Sequence, residues 1–399
     1  MIEKLKSNYL LNIPFKIEYL ILPIPILATL GHWIVVSFYI FCIFILFISN
    51  YFVNGIDKLK VPYLLSWIFI LVWGLYIVQK SPVPKDGMYY YIGTILIPFA
   101  IFLIIINLNV NKIFLTKFFD LFIFSGVILS VISIVIFVES GFDIKQRISS
   151  VWQDNNILSL YLLFLFLINL SFLVNRVKGE KMILYILTLL TLILGIVLTQ
   201  TRGVFVSMIF ALVIYLIKRP KVVIPIAVIA SILGILFFDV FKDRFLSIRY
   251  FGSDESSLGR LQAWLSTLIL LKENLFFGYG FNSYIYMRDQ VFSFYFVEVQ
   301  HSHNTYLRSM LEIGLIGFIV YFSIIFRAAK FVFFGKDIKL EGYKKFIDAM
   351  KLSFLACIPA FMFEPYLSLY GVSTIVIWIF ISISFKLKFM NEDIQESVI

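Results

Sequence analysis

The chain has 399 residues, of which 61% are hydrophobic and only 15% charged, with a mean hydropathy of +0.96. Soluble domains carry about a quarter charged residues, so this composition leaves too little polar surface to cover one. The net charge of +10 invites a nucleic-acid partner, but the distribution of those charges along the chain excludes it.

Apolar runs of roughly 20 residues, the length needed to cross a bilayer as a helix, recur from end to end. They predict a polytopic inner-membrane protein with about twelve spans, near 17–31, 34–50, 61–79, 89–108, 114–138, 156–174, 182–199, 204–217, 221–239, 307–326, 350–365 and 369–385. The first run follows a weakly basic start and leads straight into the second, which reads as a retained span and not a cleaved signal peptide. With the N-terminus placed in the cytoplasm, 22 of the 34 Lys and Arg residues fall in cytoplasmic segments, so both termini are expected there. That bias explains the positive charge without nucleic acid. Cys42 and Cys357 both lie within apolar runs and read as inert buried thiols.

The polar material gathers on the outer side. One outer segment is short, Glu139 to Asn155, and a longer one runs from about Asp239 to Thr305. The expected organisation is therefore residues 1–239 as spans one to nine, 240–306 as an outer loop, and 307–399 as spans ten to twelve with a cytoplasmic tail. Within the loop, Leu258, Leu261, Leu265 and Leu268 recur at helical spacing beside Trp264, which predicts a helix lying in the membrane interface. Ser256 or Ser257 is the expected N-cap, and Gly278-Tyr279-Gly280 ends the element as a turn.

Three outer segments hold residues able to do chemistry. Thr199-Gln200-Thr201-Arg202-Gly203 forms a tight turn that sets Arg202 at the membrane boundary, where an arginine either anchors to headgroups or, with Thr201 beside it, binds an anion. Arg260 is expected in the first turn of the loop helix, where a cation opposes the helix dipole unless an anion sits there too. His301-Ser302-His303-Asn304 precedes the tenth span, with Ser302 or Asn304 as its cap and Arg308 and Glu312 spaced as an intrahelical ion pair. The His-x-His pair has no evident third or fourth ligand near it, so a metal is not expected and a histidine base or hydrogen-bond donor is. Two arginines that grip phosphate oxygens in pairs, with a histidine able to accept a hydroxyl proton, suggest glycosyl transfer from a lipid diphosphate. A flippase or transporter is the alternative of another class, disfavoured because the spans carry few ionisable residues.

Several of these pieces resemble the O-antigen ligase family, whose superfamily includes O-antigen and exopolysaccharide polymerases. The likeness rests on His303-Asn304, nine residues, Gly314, two residues and Gly317, on the turn with Arg202, and on Leu258-Gly259-Arg260-Leu261 with Trp264 and Gly278-Tyr279-Gly280. It covers about 195–320, and it departs from the family where Leu275 follows Asn274 in place of proline. The resemblance implies an all-helical GT-C-type bundle with a large periplasmic loop and a periplasmic site in the bacterial inner membrane. It implies that Arg202 and Arg260 bind the diphosphate of an undecaprenyl diphosphate-linked glycan donor. His303 then acts on the acceptor hydroxyl, with His301, Asn304, Arg308 and Thr201 in supporting places. No cofactor and no metal are implied. The acceptor is lipid A–core for a ligase, or a second lipid-linked glycan for a polymerase of O-antigen, capsular or exopolysaccharide repeats; the intact His-Asn signature favours the ligase.

Overall fold

A computed structural model describes residues 17–55, 58–143, 146–152, 154–175, 180–217, 255–292, 299–335, 340, 342–367 and 371–396. The described residues are helical with no strand. Eleven main helices follow in chain order: α1 Trp33–Asn54, α2 Leu64–Lys80, α3 Pro84–Asn107, α4 Lys112–Glu139, α5 Asn155–Val174, α6 Glu180–Thr199, α7 Arg202–Leu216, α8 Glu255–Glu273, α9 Thr305–Phe334, α10 Lys344–Phe363 and α11 Val372–Glu396. Eight of them are long and apolar enough to cross a membrane, and α2, α7 and a piece over Glu18–Ala28 are shorter apolar helices. The protein is a multi-pass α-helical membrane protein. The expected span at 221–239 lies outside the described residues.

The expected helix over 17–31 is broken. A 3-10 turn, Ile17–Ile21, gives way to the five-residue helix Ile24–Ala28, because Pro23 and Pro25 lack the N–H groups a continuous helix would need. Elsewhere helices meet their expected positions with shifted ends, and α9 extends eight residues past its predicted end to Phe334.

Helix α5 is the axis of the bundle. Every residue from Leu158 to Phe172 is buried, as befits a helix apolar on all faces, and α4, α6, α10 and α11 pack around it. Inside such a bundle no water is at hand to satisfy freed backbone groups, so each break in a helix needs a substitute donor. In α3 the π-helical turn Ile92–Leu96 precedes Pro98, which has no N–H to give the Thr94 carbonyl. The Tyr321 hydroxyl of α9 donates to that carbonyl at 3.1 Å and accepts in turn from the Trp378 indole of α11 at 2.9 Å.

A larger break lies at Gly314, whose φ of 68° interrupts α9. The carbonyls it frees find donors on other segments. Tyr279 N–H reaches Leu311 O at 2.8 Å, Gly280 N–H reaches Glu312 O at 3.1 Å, and the Trp73 indole of α2 reaches Ile313 O at 2.8 Å. Leu315 N–H returns a bond to Leu275 O at 2.8 Å. The turn after α8 is thus stitched by backbone bonds onto the broken helix. The approach is so close that a Cβ on Gly278 would lie 2.6 Å from Gly314 N, and one on Gly314 would strike the Phe276 carbonyl.

Gly314→Ala therefore combines a left-handed backbone with a backbone clash and is expected to lower stability by about 3 kcal/mol or more. Gly141, at φ 71° with nothing within 4 Å of its missing Cβ, carries only the conformational part, about 1 kcal/mol when replaced by alanine. Thermal unfolding of the two detergent-solubilised variants checks the difference, and equal losses would remove the clash from the account.

Candidate functional site

The site forms where helix ends meet at one end of the bundle. Thr201 is the N-cap residue of α7, which puts Arg202 at its first position. The helix α8 begins at Glu255, so Ser256 and Ser257 lie within its first turn and neither is the cap; Arg260 falls in the second turn, not the first. Asn304 caps α9, its side chain accepting from Leu307 N–H at 3.0 Å. Of the two caps expected there, the structure selects Asn304. His303, one residue earlier, holds a left-handed backbone at φ 47°, and Gln200 does so at φ 52° before α7. Such conformations cost about 1–3 kcal/mol each and persist where the surroundings fix them, often at working sites.

The residue joining these elements is Glu364, the C-cap of α10. Its side chain is 6% exposed, yet it receives three partners. His303 Nδ1 lies 3.0 Å from Oε1 and 3.1 Å from Oε2, Asn156 Nδ2 donates to Oε1 at 2.7 Å, and an Arg260 terminal nitrogen stands 3.6 Å from Oε1. The Thr305 hydroxyl donates to the Glu364 backbone carbonyl at 2.6 Å, which locks the end of α10 to the start of α9. Asn156 carries the network further: its Oδ1 accepts from Arg147 at 3.1 Å, and the same guanidinium donates to Thr201 Oγ1 at 3.3 Å and Thr199 O at 3.2 Å.

Beside Glu364 opens a small polar cleft, lined by Arg147, Asn156, Gln200, Thr201, Arg202, Gly203, Arg260, Phe363, Glu364 and Tyr366. Three arginines line this cleft with one carboxylate, and planar guanidinium groups suit paired phosphate oxygens. Arg260 Nε is buried without a hydrogen-bond partner, so that guanidinium retains a donor for a ligand. Burial, reinforced by the Glu364 charge, raises the pKa of Asp154, which caps α5 through Asn156 and Ile157 N–H. Burial also pushes the Tyr366 hydroxyl well above its ordinary value, again with Glu364 contributing.

The sequence-predicted residues separate into two groups. Arg202, Arg260 and Thr201 line the cleft, and His303 joins it through Glu364. His301 stacks obliquely on His303, ring centroids 4.2 Å apart. Arg308 does not line the cleft. It is buried, bonded through Nε to Glu312 at 2.7 Å as the spacing predicted, with its guanidinium over the Tyr90 ring. Glu312 also accepts from Asn282 N–H at 3.0 Å, so the pair braces the turn after α8.

Sequence reasoning missed Arg147, Asn156, Glu364 and Tyr366. Glu364 carried a signal, since a carboxylate followed by proline at the end of an apolar run is expensive to place by chance. It also alters the metal argument. The His-x-His pair has a third ligand after all, because His301, His303 and Glu364 each present a donor atom within 4.8 Å of the others. Three ligands are the number a catalytic zinc site uses, although here the Arg260 guanidinium brings a positive charge to the same carboxylate.

Residues 187–322, from α6 into α9, match the family model described as O-antigen ligase. This stretch is an O-antigen ligase family domain. No curated protein matches the chain. The O-antigen ligase domain contributes Arg202, Arg260, His301 and His303 to the site, whereas Arg147, Asn156, Glu364 and Tyr366 come from outside it.

His301 gives a test of the site's electrostatics. Burial is the main cause that holds its pKa well below the usual histidine value, with His303, Arg308 and Arg260 adding positive charge. The unfolded chain takes up a proton near pH 6.5 and the folded chain resists it, so the unfolded state binds more protons below that pH and stability falls as the solution is acidified. His301→Asn is expected to flatten the pH 7-to-5 portion of the stability curve. An unchanged slope would place the charged imidazole comfortably in the fold.

Proposed function

We propose that the protein transfers a glycan from undecaprenyl diphosphate to a sugar hydroxyl at the periplasmic face of the bacterial inner membrane, acting as an O-antigen ligase-like glycosyltransferase in lipopolysaccharide biosynthesis. The observation that carries this reading is the convergence of Arg147, Arg202 and Arg260 on one cleft whose carboxylate wall is bonded to His303. Membership of residues 187–322 in the O-antigen ligase family supports transferase chemistry on a lipid-linked glycan. In this reading the chain makes twelve spans of GT-C type with both termini in the cytoplasm. Residues 1–239 supply nine spans, 240–306 the periplasmic loop, and 307–399 the rest.

The chemistry follows from the charges. Arg202 and Arg260 hold the diphosphate and stabilise the negative charge that grows on it as the glycosidic C–O bond breaks. His303 takes the proton from the acceptor hydroxyl, whose oxygen attacks the anomeric carbon from the opposite face and inverts it. Lipid A–core is the acceptor in the ligase reading; a second lipid-linked repeat unit is the acceptor if the enzyme is a polymerase. No metal takes part, since the carboxylate that a metal would need is already engaged by Asn156, His303 and Arg260.

Arg202→Ala and Arg260→Ala are each expected to reduce transfer by about 100-fold or more, with lysine restoring little because it cannot bond two oxygens at once. His303→Ala is expected to be as inactive while still binding donor; weakened donor binding would move His303 onto the diphosphate. The assay uses purified protein with undecaprenyl diphosphate-linked glycan, with lipid A–core present in one arm and omitted in the other. Product only in the first arm marks a ligase, and a ladder of longer lipid-linked glycans in the second marks a polymerase. Chelator is expected to leave the rate unchanged, and a large loss would put a metal on His301, His303 and Glu364.

A further inference from the structure

We propose that Glu364 is the positioning residue of this transfer site: it holds the proton of His303 on Nδ1, which leaves Nε2 as the base for the acceptor, and it shares Arg260 with the donor diphosphate. The inference rests on the transferase reading above and assigns a role to a residue outside the O-antigen ligase domain.

The geometry divides the work between the two side chains. Both oxygens of Glu364 lie within 3.1 Å of His303 Nδ1, and an ionised carboxylate can only accept, so the proton between them sits on Nδ1. Nitrogen Nε2 then carries the lone pair. Glu364 has 6% of its side chain exposed and His303 has 18%, so the histidine is the one of the pair that can meet a sugar hydroxyl. Asn156 Nδ2, donating to Oε1 at 2.7 Å, keeps the carboxylate from rotating away.

Arg260 makes the link to the donor. At 3.6 Å it is an ion partner of Glu364 with no short hydrogen bond, and its Nε is buried and unpartnered. A diphosphate in the cleft offers that guanidinium stronger acceptors. As Arg260 turns toward the diphosphate, the Glu364 carboxylate keeps Asn156 and His303 as its partners, so the imidazole stays oriented when donor is bound. The step balances: the acceptor proton passes to Nε2, the acceptor oxygen bonds to the anomeric carbon, and the electron pair of the broken C–O bond leaves with the lipid diphosphate. The imidazolium, stabilised by Glu364, then returns its proton to water. The arrangement uses the logic by which a buried carboxylate holds a catalytic imidazole in one tautomer.

The test uses the full-length protein in lipid nanodiscs with ¹⁵N-labelled histidine. The chain has three histidines, so His303 resonances are assigned by their loss in His303→Asn. Wild type is expected to show a protonated Nδ1 and a bare Nε2. Glu364→Gln presents an amide N–H to Nδ1 and is expected to move the proton to Nε2, with kcat down about 100-fold or more and donor KM within about threefold. Glu364→Asp, which keeps the charge, is expected to retain the wild-type tautomer and recover part of kcat. A wild-type His303 protonated on Nε2 overturns the proposal, and so does a Gln variant that turns over normally. If Glu364→Gln does not fold, the wild-type tautomer still decides. Absence of transfer by wild type with a Nδ1-protonated His303 would overturn the function and leave the positioning geometry standing.

Discussion

A carboxylate held almost out of water must be compensated where it stands, and Glu364 imposes that demand on three separate parts of the chain. Leaving such a charge unpaired costs several kcal/mol, more than most single interactions can offset. The compensating groups are Asn156 from the start of α5, His303 from the lead into α9, and Arg260 from α8. Arg260 is the loosest of the three at 3.6 Å, whereas Asn156 and His303 stand within 3.1 Å of the carboxylate. The end of α10 therefore acts as a keystone, and the bond from the Thr305 hydroxyl to the Glu364 carbonyl fixes its height against α9. What the site can do chemically depends on this one buried charge, since it sets the neighbours of His303 and of one cleft arginine together.

A second constraint acts on the backbone. The break at Gly314 leaves carbonyls that a membrane interior cannot hydrate, and the turn after α8 supplies their donors. The clamp is what makes α8 a rigid mount for Arg260. Its buried face, with Ala263, Ser266, Leu270 and Leu271, packs toward α9, while Leu261, Leu265 and Leu268 face outward. The leucine stripe in the sequence thus marks the outward face of the helix. The small residues between the leucines mark the inward one. The Arg308–Glu312 pair lies under the same turn and braces it through Asn282.

Features written within a few residues of each other were legible in the sequence. The apolar runs located the helices, the cap of α9 was narrowed to Ser302 or Asn304, and Arg308 and Glu312 announced their pair, because each depends on local spacing alone. Arg202 and Arg260 were legible as charges at the membrane boundary, whereas Arg147 was not. Glu364 was not connected to His303 because 61 residues separate them, and Asn156 lies 208 residues from its partner. No periodicity records a contact of that range; only the folding of α5, α9 and α10 side by side creates it. The first apolar run misled for a different reason. Its hydrophobicity marked an apolar segment but not a continuous helix, because Pro23 and Pro25 withhold backbone donors and hydropathy does not register a missing N–H.

The same range of contacts bears on how the O-antigen ligase domain works within the chain. Its arginines and histidines lie inside residues 187–322, but the groups that neutralise and orient them do not. Without α10 the His303 ring would lose both carboxylate oxygens, and without α5 the carboxylate would lose its closest donor. Without α2 the Ile313 carbonyl at the break would lose the Trp73 indole, and the Phe281 carbonyl would lose the Ser81 hydroxyl at 3.0 Å. A sequence pattern confined to the domain can therefore mark where the charged groups are, while the spans on either side determine how those groups are held. The helices outside the domain belong to the site as much as those within it, because a buried charge and a broken membrane helix both require partners that a local stretch of chain cannot provide.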